Sequence, residues 1–229
     1  MLINFTNGDG ERAIKEAADN SWDLAIVDPP YFSGPERRKY YGAGIGTRGV
    51  KRQAYTQISK WTPPEPWFFE ELLRVSRNQI IWGCNYYDFK FGPGRIIWDK
   101  CNQGTTFSDC EIAYCSLHDS VRLFRYMWNG MMQGKSAIQG HIMQGDKSKN
   151  QKRIHQTEKP VDLYKWLLWT YANEGDKILD THGGSMSIGL ACIDLGYSLD
   201  AWEIEPAIFE KAERRMKAYS QSNIFISAK

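Results

Sequence analysis

The chain has 229 residues, and 29 Lys/Arg against 27 Asp/Glu leave a net charge of +2. That length suits one domain with a full hydrophobic core and a small insertion, and is cramped for two independent domains. With no run of about 18 apolar residues and no basic-then-apolar leader, the expectation is a soluble, cytoplasmic protein with no membrane partner. Cys84, Cys101, Cys110, Cys115 and Cys192 are odd in number without a C-x-x-C, and four histidines are scattered, so neither a disulfide frame nor a metal site is expected.

The predicted elements alternate along the chain. A short helix over Glu11–Ala18 precedes a buried strand over Asp23–Val27. A helix over Glu65–Val75, with Phe68, Leu72 and Val75 on one side, follows a long polar stretch. Strands are then predicted over Gln79–Trp82, Arg95–Trp98, Glu111–Cys115 and a more exposed Val121–Met127. The last part reads helix Val161–Tyr171, strand Lys177–Leu179, helix Ser187–Leu195, strand Leu199–Ile204 and helix Ile208–Ala218. This alternation predicts an α/β fold, a mostly parallel sheet covered by helices on both faces.

Two basic segments break the rhythm. Residues 32–60 hold seven Lys/Arg against one acid, and residues 116–154 hold seven against two. Both are rich in glycine and poor in apolar periodicity, at least over 32–60 and 130–152, and are expected to be long mobile loops. Their charge suits a polyanionic partner.

DPPY, Asp28 to Tyr31, stands at the carboxyl end of the Asp23–Val27 strand, the edge at which open α/β sheets bind ligands. Each proline fixes its own φ and holds the preceding residue extended, so the Asp28 side chain and the Pro29 carbonyl can both face one amino group. Tyr31 offers a flat ring for a planar heterocycle. A turn with no chemical use is the alternative. Further on, GDKILDTHGGSMSIG reads strand, glycine turn, helix. Gly183 and Gly184 let a ligand approach the backbone and the helix N-terminus, while Asp180 can accept from ammonium or hydroxyl groups. About 20 residues later, Glu203 and Glu205 end a strand where a ribose diol is usually held.

Together these motifs resemble the amino-group (N6-adenine/N4-cytosine) DNA methyltransferases, in the permuted order where DPPY precedes the cofactor motif, as in phage and bacterial adenine enzymes. NFTNGDGERAIKEAADNSWDLAIVDPPY is similar to the family's opening, and IIWGCNYY, GRIIWDK and FSDCEIAYCS to its next strands. RIHQTEKPVDLYKWLL resembles the H-P-T-x-K-P signature. The resemblance implies a Rossmann-like class I methyltransferase fold with one antiparallel strand, in a single domain over 1–229, with a short target-recognition insertion at about 116–154. It implies S-adenosyl-L-methionine as cofactor, held by Asp9, Asp28, Thr157, Lys159, Pro160, Asp180, His182, Gly183, Gly184, Ser185, Glu203 and Glu205. It implies DNA as partner, a homodimer being usual among relatives, and methyl transfer to N6 of adenine at Asp28, Pro29, Pro30 and Tyr31. Cytosine N4, RNA, or a DNA-binding relative without turnover are the alternatives. Arg37, Arg38, Lys39, Tyr40, Arg48, Lys51 and Arg52 of the first basic segment, and Lys147, Lys149, Lys152 and Arg153 of the second, are the expected DNA contacts. Two positions depart from the pattern: Met186 replaces a glycine of F-x-G-x-G, and Gln156 replaces the proline of H-P-T. Met186 is expected to crowd the cofactor's methionine end or to shift the turn.

Overall fold

The computed structural model describes residues 1–31, 44–45, 51–52, 61–105, 108–130, 132–155 and 157–227. In chain order the elements are β1 (Ile3–Asn7), α1 (Gly10–Lys15), β2 (Trp22–Val27), β3 (Gly44–Ile45), β4 (Lys51–Arg52), α2 (Pro66–Val75), β5 (Ser76–Trp82), β6 (Arg95–Asp99) and β7 (Cys110–Cys115). There follow β8 (Val121–Arg125), β9 (Trp128–Asn129), β10 (Met132–Gln133), α3 (Val161–Tyr171), β11 (Lys177–Asp180), α4 (Ser187–Leu195), β12 (Ser198–Glu203) and α5 (Pro206–Ser227).

Eight strands form one sheet in the order β1-β12-β11-β2-β5-β7-β6-β8. All pairings are parallel except those of β7, which runs against both β5 and β6. β7 slots between β5 and β6 because the twelve-residue crossover 83–94 carries the chain past one strand position, and the chain then returns antiparallel as β7. No helix among the described residues is long and apolar enough to cross a membrane.

Strand alternation distributes the core to both faces. Leu24 and Ile26 of β2 face Leu163, Leu167, Ile188, Ala191 and Met216 of α3, α4 and α5. Ala25 and Val27 face Ile14, Phe68, Phe69 and Leu72 of α1 and α2. Each of the larger side chains among these contributes roughly 1.5–3 kcal/mol by leaving water, and β2, buried on both sides, reads in sequence as an unbroken apolar run for that reason.

One strand is not among the predicted elements, and one expectation needs correction. Ile3–Asn7 is an edge strand whose alternate residues are exposed, so it carries little apolar signal. It is placed by pairing with β12 and by Asn4, whose Nδ2 donates to Asp200 at 2.7 Å. The segment 130–152, expected as a loop, is folded where described. β9 and β10 form a hairpin, Gly134 bridges Met143, and a 3-10 turn spans Lys147–Lys149. Glycines make this compaction possible: a Cβ at Gly140 would lie 2.4 Å from the Arg125 carbonyl oxygen. Of the expected mobile loop 32–60, only the two-residue strands β3 and β4 are described.

Candidate active site

Because β1, β12, β11 and β2 are parallel neighbours, their carboxyl ends bring Asp9, Glu203, Thr181 and Asp28 to one sheet edge. A cavity of about 300 Å³ opens there. It is lined by DPPY, by the 181–185 turn, by Asp9, Thr157, Lys159 and Glu203, and by residues not among the expected site residues, among them Glu11, Trp61, Thr62, His155, Tyr164 and Ile208.

The turn side is shaped by close backbone approach. A Cβ at Gly10 would fall 2.3 Å from the Thr181 carbonyl oxygen, so only glycine lets the α1 start lie against β11. Asp9 caps that helix, accepting from Arg12 N at 3.1 Å. Gly183 N donates to Trp202 O at 2.7 Å, and Gly184, at φ 51°, donates to Glu203 Oε2 at 2.9 Å. Glu203 Oε1 accepts from Glu205 N at 2.7 Å, and burial raises the proton affinity of this carboxylate. Two backbone donors hold it rigid at the cavity wall with acceptor capacity left for a diol.

Met186 keeps the left-handed backbone (φ 58°, ψ 33°) that glycine adopts cheaply. Its side chain is fully buried in the core, its sulfur near Gly183 and its methyl near Gly189, and it does not line the cavity. The expected crowding of the cofactor site is therefore corrected: the turn keeps its backbone shape and the extra side chain goes inward.

Asp180 also lies inward. It is 1% exposed, accepts from His182 N at 2.9 Å and is absent from the cavity wall. Burial pushes its carboxyl up to about 7. His182 itself lines the cavity, with Nδ1 2.9 Å from Thr181 Oγ1 and Nε2 3.4 Å from Glu11. His155 packs against Gly184, and burial with three nearby cations pushes its imidazole down to about 3, so it is neutral. Glu158 is buried and paired with Arg215 at 2.8 Å, and Arg215 also donates to Ser185 O at 3.1 Å. That pair ties the segment before α3 to the glycine turn. Pro160 precedes α3 at its cap, and Glu205 lies beyond the cavity wall.

The DPPY side is a charged network. Lys159, 2% exposed, is ion-paired with Asp28 Oδ1 and lies 3.0 Å from Glu111 Oε2. Glu111 also pairs with Lys100 and accepts from the Tyr31 hydroxyl at 2.8 Å. The Pro29 carbonyl accepts from Tyr87 OH at 2.9 Å, leaving one lone pair. The Tyr31 ring stacks on Tyr86, centroids 5.2 Å apart and planes 10° from parallel, and a Cβ at Gly83 would strike it at 2.4 Å. One face of the ring expected to receive a base is thus occupied by Tyr86, itself 54% exposed.

Among the expected DNA contacts, Lys147, Lys149 and Lys152 are exposed. Arg153 departs from the expectation: its guanidinium sits 4.2 Å from the Trp128 ring centroid, half-buried, in a stacking contact. Lys51 and Arg52 lie in β4, of which only the backbone is described, and Arg37, Arg38, Lys39, Tyr40 and Arg48, with Gln156, lie outside the described residues.

Glu111 and Lys100 escaped the sequence reading. An antiparallel strand delivers its amino end to the edge where parallel strands deliver their carboxyl ends, so Glu111 arrives beside Asp28 across 83 positions of sequence. The signal that could have shown it is an acid opening an otherwise apolar strand.

Comparison with known proteins gives the same picture. A family model described as DNA methylase, N6_N4_Mtase, matches residues 22–214. The Type II methyltransferase M2.MboI of Moraxella bovis is 24% identical over 86% of this chain and 81% of its own length. M.HinfI of Haemophilus influenzae is 22% identical over 95% and 69%. In fold, the chain is similar to the M1.HpyAVI–SAM complex, with a TM-score of 0.52 over 93% of this chain and all of the other at 17% identity. It is also similar to the cytosine-N4-specific PvuII DNA methyltransferase, with 0.55 over 93% and 86% at 11% identity. With most of its length matched by the model, the chain belongs to the N6/N4 DNA methylase family, whose members transfer methyl groups from S-adenosylmethionine to amino groups of DNA bases.

Proposed function

We propose that this protein methylates the N6 amine of adenine in DNA. The observation that carries the reading is a carboxylate, Asp28, fixed beside a proline carbonyl in a cavity whose other wall is the glycine turn and Glu203. An acid rather than a serine at the head of DPPY favours adenine over cytosine. The names of the Type II relatives suggest a modification role beside a restriction nuclease.

The wall chemistry fits S-adenosylmethionine. Gly184 leaves a gap bounded by His155, a buried carboxylate stands where a ribose diol needs an acceptor, and Asp9, Glu11 and Asp28 line the same space as His182, suiting a cationic ligand. When bound, the cofactor supplies an electrophilic methyl group. Glu203, Asp9 and the backbone of Gly183 and Gly184 are the residues to hold it.

An adenine amine is a poor nucleophile because its lone pair is delocalised into the ring. Asp28 and the remaining lone pair of the Pro29 carbonyl accept its two hydrogens, drawing the nitrogen toward tetrahedral geometry and localising that pair. Tyr87 orients the Pro29 carbonyl, and Lys159 favours the ionised form of Asp28 against the cost of burial, which raises the carboxyl. Positioning and fixed electrostatics supply the acceleration. The base reaches the cavity by leaving the stack, at a cost of a few kcal/mol.

Lys147, Lys149 and Lys152, with Lys135, are exposed on the 132–152 lobe, which joins the cavity wall through Trp128, whose Nε1 donates to Glu158 O at 2.8 Å. They are read as phosphate contacts. The test is nucleoside analysis of DNA incubated with the protein and S-adenosylmethionine. N6-methyladenine is expected; N4-methylcytosine alone, or product on RNA only, would refute the assignment.

A further inference from the structure

Glu111 is half-buried at the amino end of β7 and belongs to none of the residues the function required above, yet three groups converge on it. Its Oε2 lies 3.0 Å from Lys159 Nζ and accepts from Tyr31 OH at 2.8 Å, while Oε1 pairs with Lys100. Lys159 in turn is ion-paired with Asp28 Oδ1, a buried oxygen with no hydrogen bond besides that contact, and among the described residues the ion pairing of Asp28 is confined to Oδ1. A buried cation shared between two carboxylates has no freedom to turn elsewhere, because leaving either partner uncompensated is costly.

We propose that Glu111 is a positioning residue for methyl transfer: it fixes the Lys159 ammonium on Oδ1 of Asp28 and the Tyr31 hydroxyl in one buried network, so that Oδ2 is the acceptor presented to the target amine. The inference rests on the reading of Asp28 as the amine acceptor. It assigns Lys159 to the acceptor, where resemblance alone placed it with the cofactor.

The groups facing Asp28 are Lys159 from the segment before α3, Glu111 from β7, Tyr31 beside it, Tyr87 from the crossover, His182 from the glycine turn, Asp180 from β11 and Tyr164 from α3, with Lys100 behind Glu111. Burial raises the Asp28 carboxyl above the ordinary range, Lys159 pulls it back, and Glu111 pushes it up again. The two neighbours act with opposite sign, which gives the test its discrimination. Removing the Lys159 charge leaves Asp28 harder to ionise. Removing the Glu111 charge leaves it easier.

The experiment follows the Asp28 carboxyl by carbon NMR of the free protein across pH, in wild type, Lys159→Met and Glu111→Gln, with kcat and KM measured over the same range. The expected result is an Asp28 titration displaced upward by about one pH unit or more in Lys159→Met and downward in Glu111→Gln. The acid limb of kcat should move in the same directions. In both variants kcat should fall about tenfold or more, with KM for cofactor and DNA within about twofold of wild type. An Asp28 titration unchanged in Glu111→Gln, or displaced upward as in Lys159→Met, would overturn the proposal, as would wild-type kcat in Glu111→Gln. Should Lys159→Met fail to fold, the sign of the Glu111→Gln displacement alone decides. A wild-type protein that methylates no DNA would sink the proposed function, while the titrations would still report on the network.

Discussion

The DPPY wall and the 132–152 lobe both carry lysines, and they use them in opposite ways. Lys159 is almost wholly buried and neutralised by two carboxylates. Lys135, Lys147, Lys149 and Lys152 are exposed, and among the described residues they pair with no acid. The first lysine is held inside the molecule, where its proposed task is to orient Asp28. The others face outward beside Met132, Ile138, Ile142 and Met143, which are 44–86% exposed. In the proposed reading, buried charge serves geometry at a fixed point, whereas exposed charge serves a partner that must arrive and leave.

The largest effect that would break this contrast is expected at the cofactor wall. Glu203→Ala removes the buried acceptor at the end of β12 and also leaves Gly184 N and Glu205 N without their partner. Its affinity for S-adenosylmethionine should drop about 10²-fold by calorimetry, while DNA affinity changes little. Equal loss of both would mean that the two regions are not separable.

Next is a pH effect confined to the interior. Asp180 has its carboxyl raised to about 7, far above the value of an unfolded Asp. A raised acid favours the folded state only while protonated, so stability from this group is lost as pH rises from about 4 through 7. Asp180→Asn retains an acceptor for His182 N. It should therefore unfold at higher denaturant than wild type at pH 8, by a few kcal/mol at most, and lose that advantage near pH 4. An advantage that persists at pH 4 would exclude a charge effect.

A smaller effect sharpens the outer half of the contrast. Lys147→Gln with Lys149→Gln should reduce the slope of log affinity against log salt by roughly two and weaken DNA binding severalfold. Ile138→Ser, in contrast, should leave the slope unchanged. A slope unaffected by the lysine pair would remove those residues from the DNA interface.

The smallest effect on binding is expected for Met186→Gly. Glycine relieves about 1 kcal/mol of left-handed strain, but deleting a fully buried methionine side chain costs roughly 2–5 kcal/mol. The net outcome is lower stability with cofactor affinity within about twofold of wild type. A marked gain in affinity would show that the side chain reaches the cavity after all.

What the sequence made legible follows from where each signal is local. β2 with DPPY, and β11 with its glycine turn, were readable because a strand buried on both sides is an unbroken apolar run and its ligand-facing residues come directly after it. β1 was not, since an edge strand with exposed alternate residues is held by a partner 196 positions away. Neither was the β9–β10 hairpin, whose stability comes from buried polar contacts. Gln133 is 4% exposed and bonds Gln151 in both directions at 2.8 and 3.0 Å, while polarity and glycine content in that segment read as loop. Met186 misled for a related reason: the sequence shows that glycine is absent, but not that the backbone keeps the glycine conformation and turns the side chain inward. Glu111 became visible only through the topology that inserts β7 between β5 and β6.

The central claim is that Asp28 performs the chemistry in a cavity whose cofactor wall stands without it. Isothermal titration of S-adenosylmethionine into Asp28→Ala, paired with methylation of DNA by the same preparation, tests it most directly. Cofactor affinity within about threefold of wild type with methylation reduced about 10²-fold or more is the predicted outcome. Methylation retained near the wild-type rate would contradict the account.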